Sequence, residues 1–311
     1  MSRSGLAAAL RAIPGLDGVV EDAPLAPYTT WRVGGPADIV CAATSVDALV
    51  AAVAAARAQG VPWRTLGRGS NVLVSDEGVD GLVILNRAAS LVIHDATAQA
   101  ESGVLLSVLA RRTAGAGLAG LEWGAGIPGT VGGGLVSNAG AHGGCMADTL
   151  QQVQLLDGSG AIRWDAATSL ELAYRHSRLR HSSQQDELVL RAEFALAPED
   201  PQVLHARMAE QKRQRQMTQP LSSPTAGSVF KNPPGESAAR LIDQAGLKGM
   251  CIGGATVSTR HANFMVTSAG ACSTDLAGLI TLVQERVCAL YGIHLDLEVQ
   301  AIGRTKAPAL A

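Results

Sequence analysis

Two stretches of this sequence are stripped of side chains where a ligand could approach the main chain. Gly126 to Gly144 reads GIPGTVGGGLVSNAGAHGG, eight glycines in nineteen positions without one lysine, arginine, aspartate or glutamate. The second, LGRGSNVLVSDEG (66–78), follows a predicted strand and carries Ser70 and Asn71. Successive backbone N–H groups in turn conformations bind anions without side-chain charge, and glycine lets a ligand come close to them. Thr130, Ser137, Asn138 and His142 add small hydrogen-bonding groups suited to a pyrophosphate or a flat heterocycle. Two such loops favour a long ligand with two polar ends, such as a dinucleotide. A glycine-rich packing loop between sheets is the alternative that composition leaves open.

Two familiar phosphate motifs fail here. A loop of the GxxxxGK[ST] kind needs a lysine at the β- and γ-phosphates, and this run has none. Gly124, Gly126 and Gly129 do match GxGxxG, with Asp148 at roughly the right distance. That fingerprint must open a helix, however, and Pro128 followed by Gly132, Gly133 and Gly134 would fill its first turns. Three glycines cost a helix about 3 kcal/mol, so the stretch is expected to be a loop.

Charged and hydroxyl residues elsewhere supply candidate chemistry, each with an ordinary alternative. Arg175 in YRHS offers a bidentate fork for a carboxylate, or a structural salt bridge. Ser228 in GSVF is either a proton donor or a turn serine. In IHLDLEVQ the apolar Ile293, Leu295, Leu297 and Val299 alternate with His294, Asp296, Glu298 and Gln300. A regular strand therefore puts Glu298 on a polar face, which ordinarily means solvent.

The elements that must hold these residues are legible in outline. TSVDALVAAVAAARAQG (44–60) has Thr44 and Asp47 at capping-box spacing and ends on Gly60, which predicts a helix. Short strands follow at VLVSDEG, GLVIL and LVIHDAT, then a helix at VLLSVLARRTAGAG. QVQLLDGSGAIRW predicts a hairpin turning at Asp157-Gly158, and ELVLRAEFAL a strand. PEDPQVLHARMAEQKRQRQ (198–216) predicts a helix with acids at its start and bases at its end. Beyond it come ESAARLIDQAG, a strand at HANFMVT, the long helix STDLAGLITLVQERVCALYG and a last strand IHLDLEVQAIG. The architecture is α+β in three parts.

Composition excludes several classes. A net charge of −2 over 311 residues gives no electrostatic footprint for nucleic acid or an anionic membrane. The longest apolar windows are broken by charge, so no membrane insertion is expected. The N-terminal run is interrupted by Arg11 and predicts an ordinary helix rather than a signal peptide. The five cysteines are scattered without metal spacing, which predicts free thiols in a reducing, cytoplasmic setting and no metal site.

The two glycine loops, read with TTWRVGGPAD (29–38), resemble the UDP-N-acetylenolpyruvoylglucosamine reductase family, flavoenzymes of peptidoglycan precursor synthesis. The likeness runs from about Pro27 to Gly303 and includes GLEWGAGIPGTVGG, LGRGSNVLVSDEG, YRHSRL, GSVFKNPPG, LIDQAGLKG and EVQAIG in the family's order. It implies a two-subdomain FAD-binding fold of the vanillyl-alcohol-oxidase type followed by a smaller α+β substrate domain. The expected boundaries are 1–86 and 87–198 for the FAD-binding subdomains and 199–311 for the substrate domain. The implied reaction takes hydride from NADPH onto FAD and then onto the enolpyruvyl group of UDP-N-acetylenolpyruvoylglucosamine, giving UDP-N-acetylmuramate.

The resemblance also assigns roles. Gly67, Gly69, Ser70 and Asn71 would hold the FAD pyrophosphate, and Gly126, Pro128, Gly129, Gly132, Gly133, Asn138, Gly140 and Ala141 would lie beside the flavin. Arg175 would hold the substrate carboxylate as negative charge builds, Ser228 would supply a proton, and Glu298 would assist Arg175. Lys231 and Asn232 match substrate contacts. Arg68 stands where the family often has glycine, and Gln300 where many members carry a basic residue, which puts those contacts in doubt. No tyrosine lies between Ser177 and Gly227, which implies the shorter form of the enzyme, expected as a monomer or weak oligomer. The rivals are another FAD-dependent oxidoreductase of this fold with a different acceptor, and a non-enzymatic module binding flavin or nucleotide sugar.

Overall fold

Residues 3–180 and 187–304 are described by the computed structural model, and the chain divides between two units that it enters three times each. One comprises Met1–Glu21, Asp38–Gly67 and Gly81–Gln214; the other comprises Asp22–Ala37, Arg68–Asp80 and Arg215–Ala311. A four-stranded sheet runs in the order Leu16–Pro24, Pro36–Ala43, Val79–Asn86, Trp63–Leu66. Its inner strands are buried almost without alternation, as strands covered on both faces are. Helices α1 (Arg3–Arg11) and α2 (Val46–Ala58) bring Leu6, Leu10, Leu49 and Val53 against Ile39, Trp63, Leu82 and Ile84. Cys41 lies in this core, where burial pushes its thiol up to about 12 and leaves it inert.

The second sheet of the first unit is antiparallel, in the order Ile162–Ala166, Leu150–Leu156, Leu188–Ala195, Thr97–Glu101, Leu91–His94. Here the residues do alternate. Ala98, Ala100, Val153, Leu155, Ala192 and Phe194 form a core with Leu106 and Leu109 of α3 (Leu106–Gly115). On the opposite face Gln99 and Gln152 donate to the two oxygens of Glu193, and Arg191 donates to Gln154.

The second unit has its own core. A four-stranded antiparallel sheet, in the order Thr225–Ser228, Phe264–Thr267, Ala255–Val257, Cys251–Ile252, packs with helices whose ranges are Ala238–Gln244 and Ser273–Tyr291. The longer helix buries Leu276, Ile280, Val283 and Val287, one stripe at helical spacing. Trp31 is fully buried in the same core, its Nε1 donating to the Met265 carbonyl at 2.8 Å. Asp76 seats the helix, accepting from the N–H groups of Ser273 (2.7 Å) and Thr274 (2.9 Å).

Several expectations are corrected. The cap of α2 is Ser45, which accepts from the Ala48 N–H, while Thr44 turns its hydroxyl to the Gly15 carbonyl. The hairpin after Leu156 closes through Asp157 to Ala161 rather than a two-residue Asp-Gly turn, because the Asp157 side chain accepts from Ser159 and Ala161 and Gly160 takes φ +90°. The helix expected from 198 begins at Pro201, with Asp200 accepting from Gln202 N–H just before it. Gly132 to Gly134 are helical after all: Val131–Val136 is a short helix capped by Thr130. Of its glycines, Gly132 is the one closely hemmed in by a neighbour, as described below. The final strand is cut to Gln300–Ile302, pairing in parallel with Val72–Val74.

Candidate active site

Within the first unit, the YRHS motif is a tight turn. Ala173 and His176 exchange both backbone hydrogen bonds at 3.1 Å, which leaves Tyr174 and Arg175 at the tip. Arg175 takes φ +51°, a left-handed conformation that costs a non-glycine residue about 1–2 kcal/mol. Neighbours fix it there. Asn138, itself at φ +42° and only 5% exposed, donates Nδ2 to the Ala173 carbonyl at 2.9 Å and accepts from the Ala147 N–H at 3.1 Å. Ser177, fully buried, donates to the Val136 carbonyl at 2.7 Å. The Arg175 guanidinium donates from Nη2 to the Gly140 carbonyl at 3.1 Å and lies 5.5 Å from the Tyr174 ring centroid. On the far side Arg178 donates to the Ser169 carbonyl and pairs with Asp165 and Glu187. The tail of the glycine run is thus the seat of the arginine turn.

Three glycines of that run are bare because protein already fills the space. A Cβ on Gly132 would stand 3.0 Å from Ser102 Cβ, on Gly140 2.5 Å from the Gly144 carbonyl oxygen, and on Gly144 2.5 Å from the Trp123 ring. Gly133 differs: it is exposed, and its nearest neighbour would be Thr130 Oγ1 at 3.6 Å, ordinary contact. The expectation of a continuous bare surface is therefore narrowed. Gly126 and Pro128 are exposed, whereas Gly129 and Ala141 are half-buried, and the Gly129 carbonyl accepts from Leu106 N–H.

The second glycine loop is built the same way. In the first unit, a Cβ on Gly67 would lie 2.5 Å from Thr130 Oγ1, and the Gly67 carbonyl accepts from Arg87 at 2.7 Å. In the second unit, Gly69 has φ +59° and its absent Cβ would stand 2.1 Å from the Tyr28 carbonyl oxygen. The Gly69 carbonyl accepts from Thr30 N–H, while none of the N–H groups of Arg68, Gly69, Ser70 and Asn71 donates to a protein acceptor among the described residues. A row of unused amides around a glycine is the donor set that a pyrophosphate takes up, so these residues fit FAD. Arg68 is exposed, which explains how the position tolerates a Cβ. The Asn71 carboxamide, in contrast, donates to the Glu298 carbonyl at 3.1 Å.

Two β-bulges frame the remaining candidates in the second unit. Thr225 pairs with Val266 but Ser228 with Phe264, so one extra residue lies on the serine strand, and Gly227 takes φ +79° there. Directly after it, the Val229 carbonyl accepts from two successive N–H groups, Glu298 at 2.8 Å and Val299 at 3.4 Å. The second bulge interrupts the strand without moving Leu295, Leu297 and Val299 out of the core, and Glu298 on the alternate face is half-buried rather than fully exposed. Lys231, half-buried, donates its N–H to the Asp296 carbonyl at 2.8 Å, and Asn232 accepts from Ala238 N–H at 3.1 Å at the start of the helix Ala238–Gln244. Hydrogen bonds therefore join Asn71, Glu298 and Val229, and Lys231 is bonded to Asp296 of the same segment.

Four further residues complete these sites, of which sequence reasoning named only Thr130, as a possible ligand contact. Thr130 caps the short helix and fills the space above Gly67. Ser177 anchors the arginine turn. Arg87 holds the Gly67 carbonyl. Asn263, 4% exposed, accepts from Phe230 N–H and donates to the Phe230 carbonyl, standing in for a strand partner just beyond Ser228. Nothing in the neighbouring sequence marks these roles, and only the partners give them meaning. His261 packs 4.5 Å from Phe264, the pairing partner of Ser228, and burial followed by the charge of Lys248 holds its imidazole below the usual range.

The chain is similar to known proteins over most of its length. Residues 37–165 match the family described as FAD binding domain, and residues 219–302 match the UDP-N-acetylenolpyruvoylglucosamine reductase C-terminal domain. A UDP-N-acetylenolpyruvoylglucosamine reductase of Synechococcus sp. (strain RCC307) is 46% identical, over 91% of this chain and 93% of its own length. One from Heliobacterium modesticaldum is 44% identical, over 91% and 90%. The crystal structure of UDP-N-acetylenolpyruvylglucosamine reductase from Thermus caldophilus superposes with a TM-score of 0.78 at 37% identity, covering 92% of this chain and 99% of that one.

Proposed function

The chain belongs to the UDP-N-acetylenolpyruvoylglucosamine reductase family, and from that premise we propose that it reduces the enolpyruvyl group of UDP-N-acetylenolpyruvoylglucosamine to give UDP-N-acetylmuramate, with FAD bound and NADPH as hydride donor. The observation that carries this reading is the left-handed Arg175 turn, held by the buried side chains of Asn138 and Ser177. When bound, FAD supplies hydride to the substrate. Arg68 to Asn71 would receive its pyrophosphate through their amides, and Gly133 is the helical position left open to it.

The protein's part in the reaction is electrostatic and protonic. An enolpyruvyl ether accepts hydride at its methylene only if the carboxylate can take up electron density. Arg175 would hold that carboxylate through two parallel N–H bonds, worth most as the charge grows. Ser228 would deliver a proton to the neighbouring carbon, its direction set by the Gly227 bulge. Glu298 would orient and polarise the substrate, and Lys231 and Asn232 would contact the nucleotide sugar. We divide the chain at 1–86, 87–198 and 199–311; three hydrophobic cores centre on these segments, although Trp31, Val33 and Leu73 join the core of the last and Leu156, Leu188 and Leu190 that of the first. We place the enzyme in the cytoplasm, as a monomer or weak oligomer of the shorter form; no described helix is long and apolar enough to cross a membrane.

The test is flavin absorbance of the purified protein, followed by NADPH oxidation with and without the enolpyruvyl nucleotide sugar. Oxidation that depends on that substrate, with UDP-N-acetylmuramate formed, is the expected result. NADPH turnover indifferent to it would refute the assignment and favour a different acceptor on the same fold.

A further inference from the structure

Asn71 sits in the loop whose amides are open to an anion, yet its side chain points into the protein. It grips the Glu298 stretch twice: Nδ2 donates to the Glu298 carbonyl at 3.1 Å, and the Asn71 carbonyl accepts from Gln300 N–H at 3.0 Å. Parallel pairing then continues with Val72 against Gln300, Leu73 against Ala301 and Val74 against Ile302. Between the two grips lies Val299, whose N–H shares the Val229 carbonyl with that of Glu298, the weaker of the two bonds at 3.4 Å. A peptide held so lightly can relax toward the regular extended form. That relaxation would rotate the peptide beside Glu298 and shift its carboxylate from the half-buried position it now holds.

We propose that Asn71 is a positioning residue for Glu298, so that filling the anion-binding loop also sets the Glu298 carboxylate for substrate. The inference rests on the proposed role of Glu298 and deepens it. The loop amides of Arg68 to Asn71 and the Asn71 carboxamide share one short segment. An anion on those amides immobilises Asn71, and Asn71 holds the bulge closed.

The test compares Asn71→Ala, Glu298→Gln and the double variant in the flavin-loaded protein. For Asn71→Ala, amide hydrogen exchange at residues 297–300 should accelerate while flavin absorbance per protein is retained. Reduction of the flavin by NADPH should keep its rate. Reduction of the enolpyruvyl substrate should lose about tenfold in kcat with KM little changed, and the double variant should fall no further than Glu298→Gln alone. Additive losses, unchanged exchange at 297–300, or loss of flavin with normal kcat in the remaining holoenzyme would overturn the proposal while leaving Glu298 its role. A silent Glu298→Gln would overturn both, and so separates the two failures.

Discussion

Alanine at Gly132 and at Gly133 should have opposite consequences, although the two residues are adjacent in one short helix. Gly132→Ala places a Cβ 3.0 Å from Ser102 Cβ and 3.2 Å from its carbonyl oxygen. Ser102 cannot give way easily. It is 1% exposed, its N–H donates to Leu190, its carbonyl accepts from Gly132, and its hydroxyl accepts from Asn86. Overpacking against such a pinned residue costs about 1–3 kcal/mol, and replacing glycine in a helix returns about 0.5–1 kcal/mol. The net loss of about 1–2 kcal/mol lowers Tm by roughly 2–8 °C for a unit of this size. Gly133→Ala meets nothing closer than 3.6 Å, so the flavin-free protein keeps or gains up to about 1 kcal/mol. Its methyl group projects where the cofactor is proposed to lie, and FAD affinity should fall about tenfold or more, the scale of one misplaced methyl group in a fitted site. Thermal unfolding of flavin-stripped protein and fluorescence titration with FAD separate the two effects. Equal Tm losses in both variants, or unchanged FAD affinity in Gly133→Ala, would refute the reasoning.

Arg175→Lys keeps the charge but loses the fork, and kcat should drop by about 10²–10³ with flavin content intact; a loss below tenfold would argue against a bidentate carboxylate contact. Ser228→Ala should leave flavin reduction by NADPH unaltered and slow product formation by at least about 10², measured by stopped-flow of each half-reaction; equal rates in both halves would remove Ser228 from the proton path. Burial raises the Asp76 carboxyl, but hydrogen bonds from Ser273 and Thr274 outweigh it and hold it below the usual range. Hydrogen bonds from the Gly254 and Cys272 N–H groups do the same for Asp275. Both carboxylates therefore contribute stability that is present above the ordinary aspartate value of about 3.9 and is lost as pH falls through their lowered values. Asp76→Asn should cost about 1 kcal/mol at neutral pH and flatten the acid limb of a Tm–pH curve; an unchanged limb would mean the cap at Ser273 carries no such linkage.

The sequence determined a good deal by itself. Apolar periodicity located α2 and the long helix at Ser273–Tyr291, because buried stripes and caps are written in neighbouring residues. Ordered motifs located both glycine loops, the YRHS turn and the Ser228 and Glu298 segments. Local pattern misread the places where a distant partner decides. Gly132 to Gly134 have poor helix propensity, yet they are helical, capped by Thr130, and at Gly132 the tight neighbour is Ser102, thirty positions away. Alternation placed Glu298 opposite the buried Leu295 and Val299, as found, but could not show that it is half-buried or that its N–H and that of Val299 share the Val229 carbonyl. Asn71 and Asn138 looked like ligand contacts, since a carboxamide near glycines has no visible occupation in a one-dimensional string. Folding supplies the Glu298 and Ala173 carbonyls as their partners. Sequence names the groups that can do the chemistry, whereas which of them face a ligand and which hold the others in place depends on carbonyls and volumes that only the folded chain brings together.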